Sequence, residues 1–162
     1  MIRSASIEDA PRIAEIYNHY IKNTVITFEE NSVSSEEIVV RLENVWDLGF
    51  PWLVALEGDR VVGYAYGSQW NTRSAYRFTA EISVYLSHGS LGSGIGTRLY
   101  EALFEELRKR SIRVVIAGMA LPNSASQSLH ERFGLKKVAH FEKIGFKFGK
   151  WLDVGYWQGK LS

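Results

Sequence analysis

Cysteine is absent from the 162 residues of this chain, and proline and methionine are scarce, at 3 and 2. Without cysteine there is no disulfide framework, no thiolate metal site and no cysteine acyl-enzyme. Four histidines remain, at 19, 88, 130 and 140. None has a metal-ligand spacing, and His130-Glu131 is not followed by the second histidine of a zinc-protease helix, so no metal is expected. No apolar run approaches the roughly 20 residues of a membrane span, and MIRSASIEDA has no apolar signal core, so a cytoplasmic protein is expected. The net charge of +1 comes from basic residues scattered along the chain, which offers no attraction to nucleic acid or to an anionic membrane.

What is present suits one globular domain, residues 1–162. Hydrophobic residues make up 46% and charged ones 23%, enough to bury a core and keep its surface wet. A first short strand is expected at Ile2 to Ala5, then a helix from Ser6 with Ile13, Ile16, Tyr17, Tyr20 and Ile21 on one face. A second helix starts at Ser34 or Ser35, buries Ile38, Leu42 and Val45 or Trp46, and stops at Gly49. Thr24 to Glu30, between them, reads as loop or short strand. Trp52 to Glu57, the turn Gly58-Asp59 and Arg60 to Trp70 form a hairpin, followed by a strand from Thr79 to Leu86. Helices at Ile95 to Arg110 and Ser124 to Phe133 flank a buried strand at Ile112 to Met119, and two strands, Leu135 to Lys143 and Trp151 to Leu161, finish a mixed α/β sandwich.

The segment TAEISVYLSHGSLGSGIGTRLYEA (79–102) holds the strongest functional signal. A strand with one carboxylate runs into glycines at 89, 92, 94 and 96 and then into a helix, an order that can cradle an anion on backbone N–H groups. Gly96 is followed by Thr97 and Arg98, so the lysine of a nucleotide-triphosphate P-loop is missing. The spacing of Gly92, Gly94 and Gly96 also fits a dinucleotide fingerprint poorly, and Ile112 to Met119 lacks the acid that motif needs. A glycine-rich loop without function stays open on these residues alone.

Further segments narrow the choice. IYNHYI (16–21), TFE (27–29), PWLVA (51–55), VVGYAY (61–66), NTRSAY (71–76), TAEISVY (79–85), GSGIGTRLY (92–100), LPNSASQSLHERFGL (121–135) and GFKFGKWLDVGYWQ (145–158) occur in this order. In them the chain resembles the GNAT superfamily of N-acetyltransferases, and within it the phosphinothricin and methionine sulfoximine acetyltransferases. The resemblance runs nearly end to end. It implies a GNAT fold, a mostly antiparallel sheet of six to seven strands flanked by about four helices. It also implies acetyl transfer from acetyl-CoA by direct attack of a small amino-acid-like amine, and a homodimer.

Roles follow by matching positions. Glu81 matches the group's proposed general base; its other reading is a carboxylate on the solvent face of a strand or paired with an arginine. His130, where the wider superfamily often has a tyrosine, would help move the proton of the leaving thiolate, or else is a structural histidine. Val84, Tyr85 and Leu86 would pair with the pantetheine arm, while Gly92, Ser93, Gly94, Ile95, Gly96 and Thr97 hold the pyrophosphate. Asn123 would contact the carrier or cap a helix. Arg73, in a loop with Asn71 and Thr72, would grip an α-carboxylate, and Phe28 and Tyr76 would wall the acceptor site. Leu91 stands where relatives carry a basic or amide side chain, which implies weaker coenzyme A affinity. Trp151, Tyr156 and Trp157 read as packing or subunit interface.

Overall fold

The computed structural model describes residues 1–161. Strands β1 (Ile2–Ser4), β2 (Trp52–Glu57), β3 (Arg60–Gln69), β4 (Thr79–Leu86), β5 (Val114–Leu121), β6 (Lys136–Lys147) and β7 (Lys150–Lys160) make one sheet, in the order β1-β2-β3-β4-β5-β7-β6. Helices α1 (Ala10–Asn23), α2 (Ser35–Asp47), α3 (Ile95–Lys109) and α4 (Ser124–Arg132) cover its faces. All strand pairs are antiparallel except β4 with β5. The mixed α/β sandwich expected from the sequence is therefore observed, with seven strands and four helices.

Element ends follow local chemistry. A 3-10 turn at Ile7–Asp9 precedes α1, so the regular helix begins at Ala10 rather than Ser6. Asp9 accepts from the Ser6 N–H at 2.8 Å and from both terminal nitrogens of Arg3, which makes that turn a separate cap. Ser34 accepts from the Glu37 N–H and starts α2. Between β6 and β7 the chain turns on Phe148 and Gly149 alone, both with positive φ, as a two-residue hairpin loop requires. GFKFGK is thus the end of a longer hairpin, where the sequence predicts no strand over 144–150.

The two faces of β4 set up the site. Tyr85 packs edge-on against Tyr17 and Tyr20 of α1, with ring centroids 5.1 and 5.2 Å apart, so Glu81, Ser83 and Tyr85 face α1 and α2. Ala80 and Ile82 are buried on the opposite face, toward α3. Helix α1 is held by the buried Ile13, Ile16 and Ile21, each worth about 1.5–3 kcal/mol in apolar burial. Helix α4 lies beside α3, where Phe104 and Phe133 meet edge-on at 5.1 Å. Among the described residues no helix is long and apolar enough to cross a membrane.

Candidate active site

The parallel pairing of β4 and β5 runs from Thr79↔Val114 to Glu81↔Ile116 and goes no further. Beyond Glu81, β4 continues to pair with β3 on its other edge, up to Gly63↔Leu86. The next residue, Ser87, donates its N–H to the Val62 carbonyl at 2.7 Å. Antiparallel ladders alternate, so Glu81, Ser83 and Tyr85 direct their main-chain groups to β3, while Val84 and Leu86 direct theirs into the gap left by β5. The Leu86 carbonyl is already taken by the Tyr20 hydroxyl. The Val84 amide and carbonyl and the Leu86 N–H are then what this edge offers to an extended arm, so Leu86 contributes half of what the sequence suggested.

Two cavities meet at this gap. One, of about 360 Å³, lies on the α1/α2 side and is lined by Glu81, Ser83, Tyr85, Phe28, Met119 and Tyr156, among others. The other, of about 60 Å³, reaches toward α3 and α4 and is lined by Val84, Tyr100, Asn123, Ser126 and His130. Ile26, Ser83, Tyr85, Gly118 and Met119 border both. Glu81 and His130 thus stand on opposite faces of the sheet, joined through the break between β4 and β5.

Glu81 points into the larger cavity from an apolar strand. Burial alone pushes its carboxyl above the ordinary carboxylate range, because the charged form loses hydration there. An arginine partner is excluded among the described residues, since none forms an ion pair with it. His130 is 4% exposed. Its Nδ1 lies 2.6 Å from the Ser126 carbonyl, which can only accept, so Nδ1 carries the proton. Nε2 therefore accepts from the Tyr100 hydroxyl at 2.8 Å. Burial lowers the imidazole pKa and raises that of Tyr100, which keeps both neutral.

The glycine loop has the shape of an anion cradle. Gly92 and Gly94 have φ of 76° and 83°, a region open to glycine, and Gly94 caps α3. Ser93 turns back to donate to the Ser90 carbonyl. Ile95 and Gly96 are buried, Thr97 half-buried, and Leu91 is exposed at the loop's edge. Asn123 both borders the small cavity and caps α4, its Oδ1 accepting from the Ser126 N–H at 3.1 Å. The cap is observed, and the same residue borders the cavity.

Of the residues expected at the acceptor, the structure brings Phe28 and Glu81 together. Asn71, Thr72, Arg73 and Tyr76 lie on the β3–β4 loop and are absent from the cavity lining; Arg73 and Tyr76 are exposed. Sequence reasoning missed Ile26, Ser83, Met119, Ile144 and Val154, and it placed Tyr156 in packing. Tyr156 pairs with Gly118, and a Cβ on that glycine would come within 2.8 Å of the ring. The period-2 pattern of β4 is the one signal that could have found Ser83, which shares a face with Glu81.

The loop carrying Ile26, Thr27 and Phe28 is tied down from several directions. Arg41 of α2 grips Glu29 with two hydrogen bonds, at 2.8 and 2.7 Å, and holds that carboxyl below the ordinary range. Tyr17 donates to Glu29 and shares a hydrogen bond with Thr27, while the buried Lys147 donates to the Thr27 carbonyl at 2.8 Å. Phe28 is in turn admitted by Gly145, where any Cβ would fall 2.2 Å from its ring. Among the described residues no cluster of three or more histidine, aspartate or glutamate side chains is placed to hold a metal.

Comparison with known proteins agrees with this geometry. The Acetyltransferase (GNAT) domain family matches residues 2–155. The phosphinothricin N-acetyltransferase of Streptomyces viridochromogenes is 36% identical, over 97% of this chain and 85% of the relative. The L-methionine sulfoximine/L-methionine sulfone acetyltransferase of Salmonella typhimurium is 35% identical, over 99% of this chain and 94% of the relative. The crystal structure of a GNAT superfamily phosphinothricin acetyltransferase from Sinorhizobium meliloti, in complex with AcCoA, superposes with a TM-score of 0.97. It is 36% identical and covers 100% of this chain and 88% of that one. A broken β4–β5 pairing, a glycine cradle at the end of β4 and matches of this extent together establish that the chain belongs to the GNAT acetyltransferase family.

Proposed function

We propose that this enzyme transfers the acetyl group of acetyl-CoA to the primary amine of a small amino-acid-like acceptor, with Glu81 as general base. The observation that carries the reading is the position of Glu81: a carboxyl with raised proton affinity faces a cavity that opens, through the β4–β5 gap, onto the edge of Val84. Acetyl-CoA supplies the thioester. Val84 and the Leu86 N–H hold its extended arm, and residues 92–97 present their backbone to the two phosphates.

An ammonium with a pKa of roughly 8 to 10 cannot attack until deprotonated. Glu81 takes that proton, directly or through a water; the neutral amine then forms the N–C bond, and as the C–S bond breaks the second N–H proton passes through water to the leaving thiolate. On the other face the leaving sulfur meets the Tyr100–His130 pair. The Tyr100 hydroxyl can turn its proton from Nε2 toward the sulfur, and its raised pKa makes it a hydrogen-bond donor rather than a full acid.

The relatives named for phosphinothricin and methionine sulfoximine support an acceptor with an α-carboxylate. In this reading Arg73, reaching in from the β3–β4 loop, holds that carboxylate; among the described residues its guanidinium has no ion-pair partner. The enzyme acts in the cytoplasm as a homodimer, and the exposed Phe146, Phe148 and Trp151 of the β6–β7 hairpin supply an apolar face for a second copy. Sedimentation as a monomer at micromolar concentration would remove the dimer. The activity is tested by thiol release from acetyl-CoA with a panel of amines: methionine sulfone, methionine sulfoximine, phosphinothricin, a polyamine and a peptide N-terminus. Turnover confined to the polyamine or the peptide sinks the amino acid reading. Coenzyme binding without any turnover sinks the enzyme reading in favour of an acyl-CoA sensor.

A further inference from the structure

Strand β6 carries a bulge that gathers three polar side chains away from the acceptor cavity. Lys137 pairs with Trp157 and Ala139 with Tyr156, so Val138 is an extra residue in β6. Residues three apart in a regular strand point to opposite faces. The extra residue instead puts Lys137 and His140 on one face, with Asp153, Gly155 and Trp157 of β7. Tyr156, on the other face of β7, borders the Glu81 cavity. Trp157, the partner of Lys137, is six residues along β7 from Trp151, so about 20 Å separates Lys137 from the apolar end of the hairpin.

The three side chains form a line of hydrogen bonds. Lys137 Nζ lies 2.8 Å from His140 Nδ1, and His140 Nε2 lies 2.8 Å from the Asp153 carboxylate. His140 and the Lys143 N–H hold the Asp153 carboxyl below the ordinary range, which keeps it an acceptor. An ammonium only donates and a carboxylate only accepts, so both contacts assign one tautomer: Nε2 carries the proton and the Nδ1 lone pair faces the lysine. His140 reaches Asp153 across Gly155, where a Cβ would fall 2.5 Å from the Trp157 ring. Lys137 Nζ lies over that ring, 5.6 Å from its centroid, and the indole is itself held by Glu131 of α4.

An amine with a base at its proton, and a carboxylate orienting that base, has the parts of an activated nucleophile. We propose that Lys137 is a self-acetylation site, its amine attacking the thioester of acetyl-CoA with His140 as general base and Asp153 orienting the imidazole. Nδ1 takes one proton from the ammonium, and the imidazolium so formed sits against the Asp153 carboxylate. The neutral Nζ adds to the thioester carbonyl, the C–S bond breaks, and a second N–H proton passes through water to the thiolate. The products are acetyl-lysine, the thiol of coenzyme A and the proton that His140 returns to water. Lys137 and His140 are both exposed, so acetyl-CoA reaches them from solution. No step involves Glu81, and the site stands apart from the proposed amine acetylation.

The full chain is incubated with acetyl-CoA at mildly alkaline pH without an amine acceptor, and acetylation of each lysine is followed by peptide mass spectrometry. Lys137 should be modified at least about tenfold faster than Lys136 and Lys150, which are exposed and have no imidazole partner among the described residues. Tenfold is modest beside the roughly 10²- to 10⁴-fold of a base in a closed site, because water competes at the surface. His140→Gln should bring the Lys137 rate down to that of Lys136, and Asp153→Asn should lower it severalfold. Glu81→Gln should leave it as in the native chain. A Lys137 rate equal to that of Lys136, or one that His140→Gln or Asp153→Asn leaves unchanged, overturns the proposal. Loss of Lys137 acetylation in Glu81→Gln also overturns it, since the lysine would then be a substrate of another copy's acetyl-transfer site. Fast, His140-dependent acetylation of Lys137 in a chain that turns over no amine supports the site and counts against the amine reading alone.

Discussion

The Tyr100 hydroxyl donates to Nε2 of His130 across 2.8 Å, and the opposite nitrogen of the same ring is fixed by the Ser126 carbonyl at 2.6 Å. Both imidazole nitrogens are therefore spoken for, and the ring faces the small cavity as the neutral partner of a tyrosine. This differs from a free histidine poised to titrate. In the proposed reaction, the leaving sulfur would meet a hydroxyl backed by an imidazole.

Tyr100→Phe should leave Nε2 buried without a donor, costing about 1–3 kcal/mol by chemical denaturation. His130→Phe leaves the buried Tyr100 hydroxyl without its acceptor and should carry a stability cost of the same order, with a further loss in kcat. The two folded states are compared by denaturant midpoint and by turnover.

The His130 pKa, lowered by burial, implies a stability change with a defined sign. The folded ring binds its proton later than the unfolded one. Its contribution is fully present above the unfolded value of about 6.5 and is lost as pH falls through it toward the folded pKa. An NMR titration should find His130 neutral at pH 6.5, and protonation at or above that pH would contradict the burial argument.

Glu81→Gln should lower kcat by about 10²- to 10⁴-fold, the usual worth of a positioned base. Because burial raises the carboxyl pKa, the acid limb of kcat/KM should lie above the ordinary carboxylate range and vanish in the variant. Folding stability should move the other way. Ionising a buried carboxyl costs stability as pH rises through its raised pKa, so Glu81→Gln should be as stable as the native chain at pH 7, or more so. Full activity of the variant from pH 6 to 9 would end the general-base assignment.

Gly145→Ala tests the wall of the acceptor cavity. The new methyl would overlap the Phe28 ring, which is partly exposed and can swing out. KM for the amine should change by severalfold while KM for acetyl-CoA stays within twofold, and an equal change in both would show that the loop does more than shape the acceptor site.

Arg41→Met should loosen the segment that carries Ile26 to Phe28. The Glu29 carboxyl, depressed chiefly by Arg41, contributes stability that is present above its unfolded pKa of about 4.3 and is lost as pH falls through the folded value. The variant should show faster amide exchange at residues 26–29 at pH 7 and a flatter acid limb of stability. Unchanged exchange would mean Tyr17 and Lys147 suffice.

Leu91→Arg addresses the coenzyme. The exposed leucine sits beside Gly92, where a cation would face the bound phosphates. KM for acetyl-CoA should fall severalfold and become salt-dependent; a value that does not fall removes the account of Leu91 as a weak point.

Much of this was legible in the sequence because it depends on local periodicity. Period 3.6 in residues 13–21 and 95–107, period 2 in 79–86, and glycines at 92 and 94 fix elements wherever the chain goes. The motifs in those elements were enough to indicate the family, and they supplied Glu81 and residues 92–97 as the candidate base and cradle. Distance in sequence hid the rest. Tyr100 and His130 are thirty residues apart, Phe28 and Gly145 more than a hundred, and nothing in either segment announces the other. The parallel pairing that stops at Glu81 is likewise a property of two strands, not of one. By itself the sequence determined which residues could do chemistry, since side-chain type and local geometry are carried by short stretches of chain. Only the tertiary structure decided what surrounds them: that His130 is tied to Tyr100, that Arg73 stands outside the cavity while Tyr156 stands inside it, and that Glu81 faces a largely apolar lining. Burial and hydrogen-bond direction arise from packing between distant segments, and those set proton affinity.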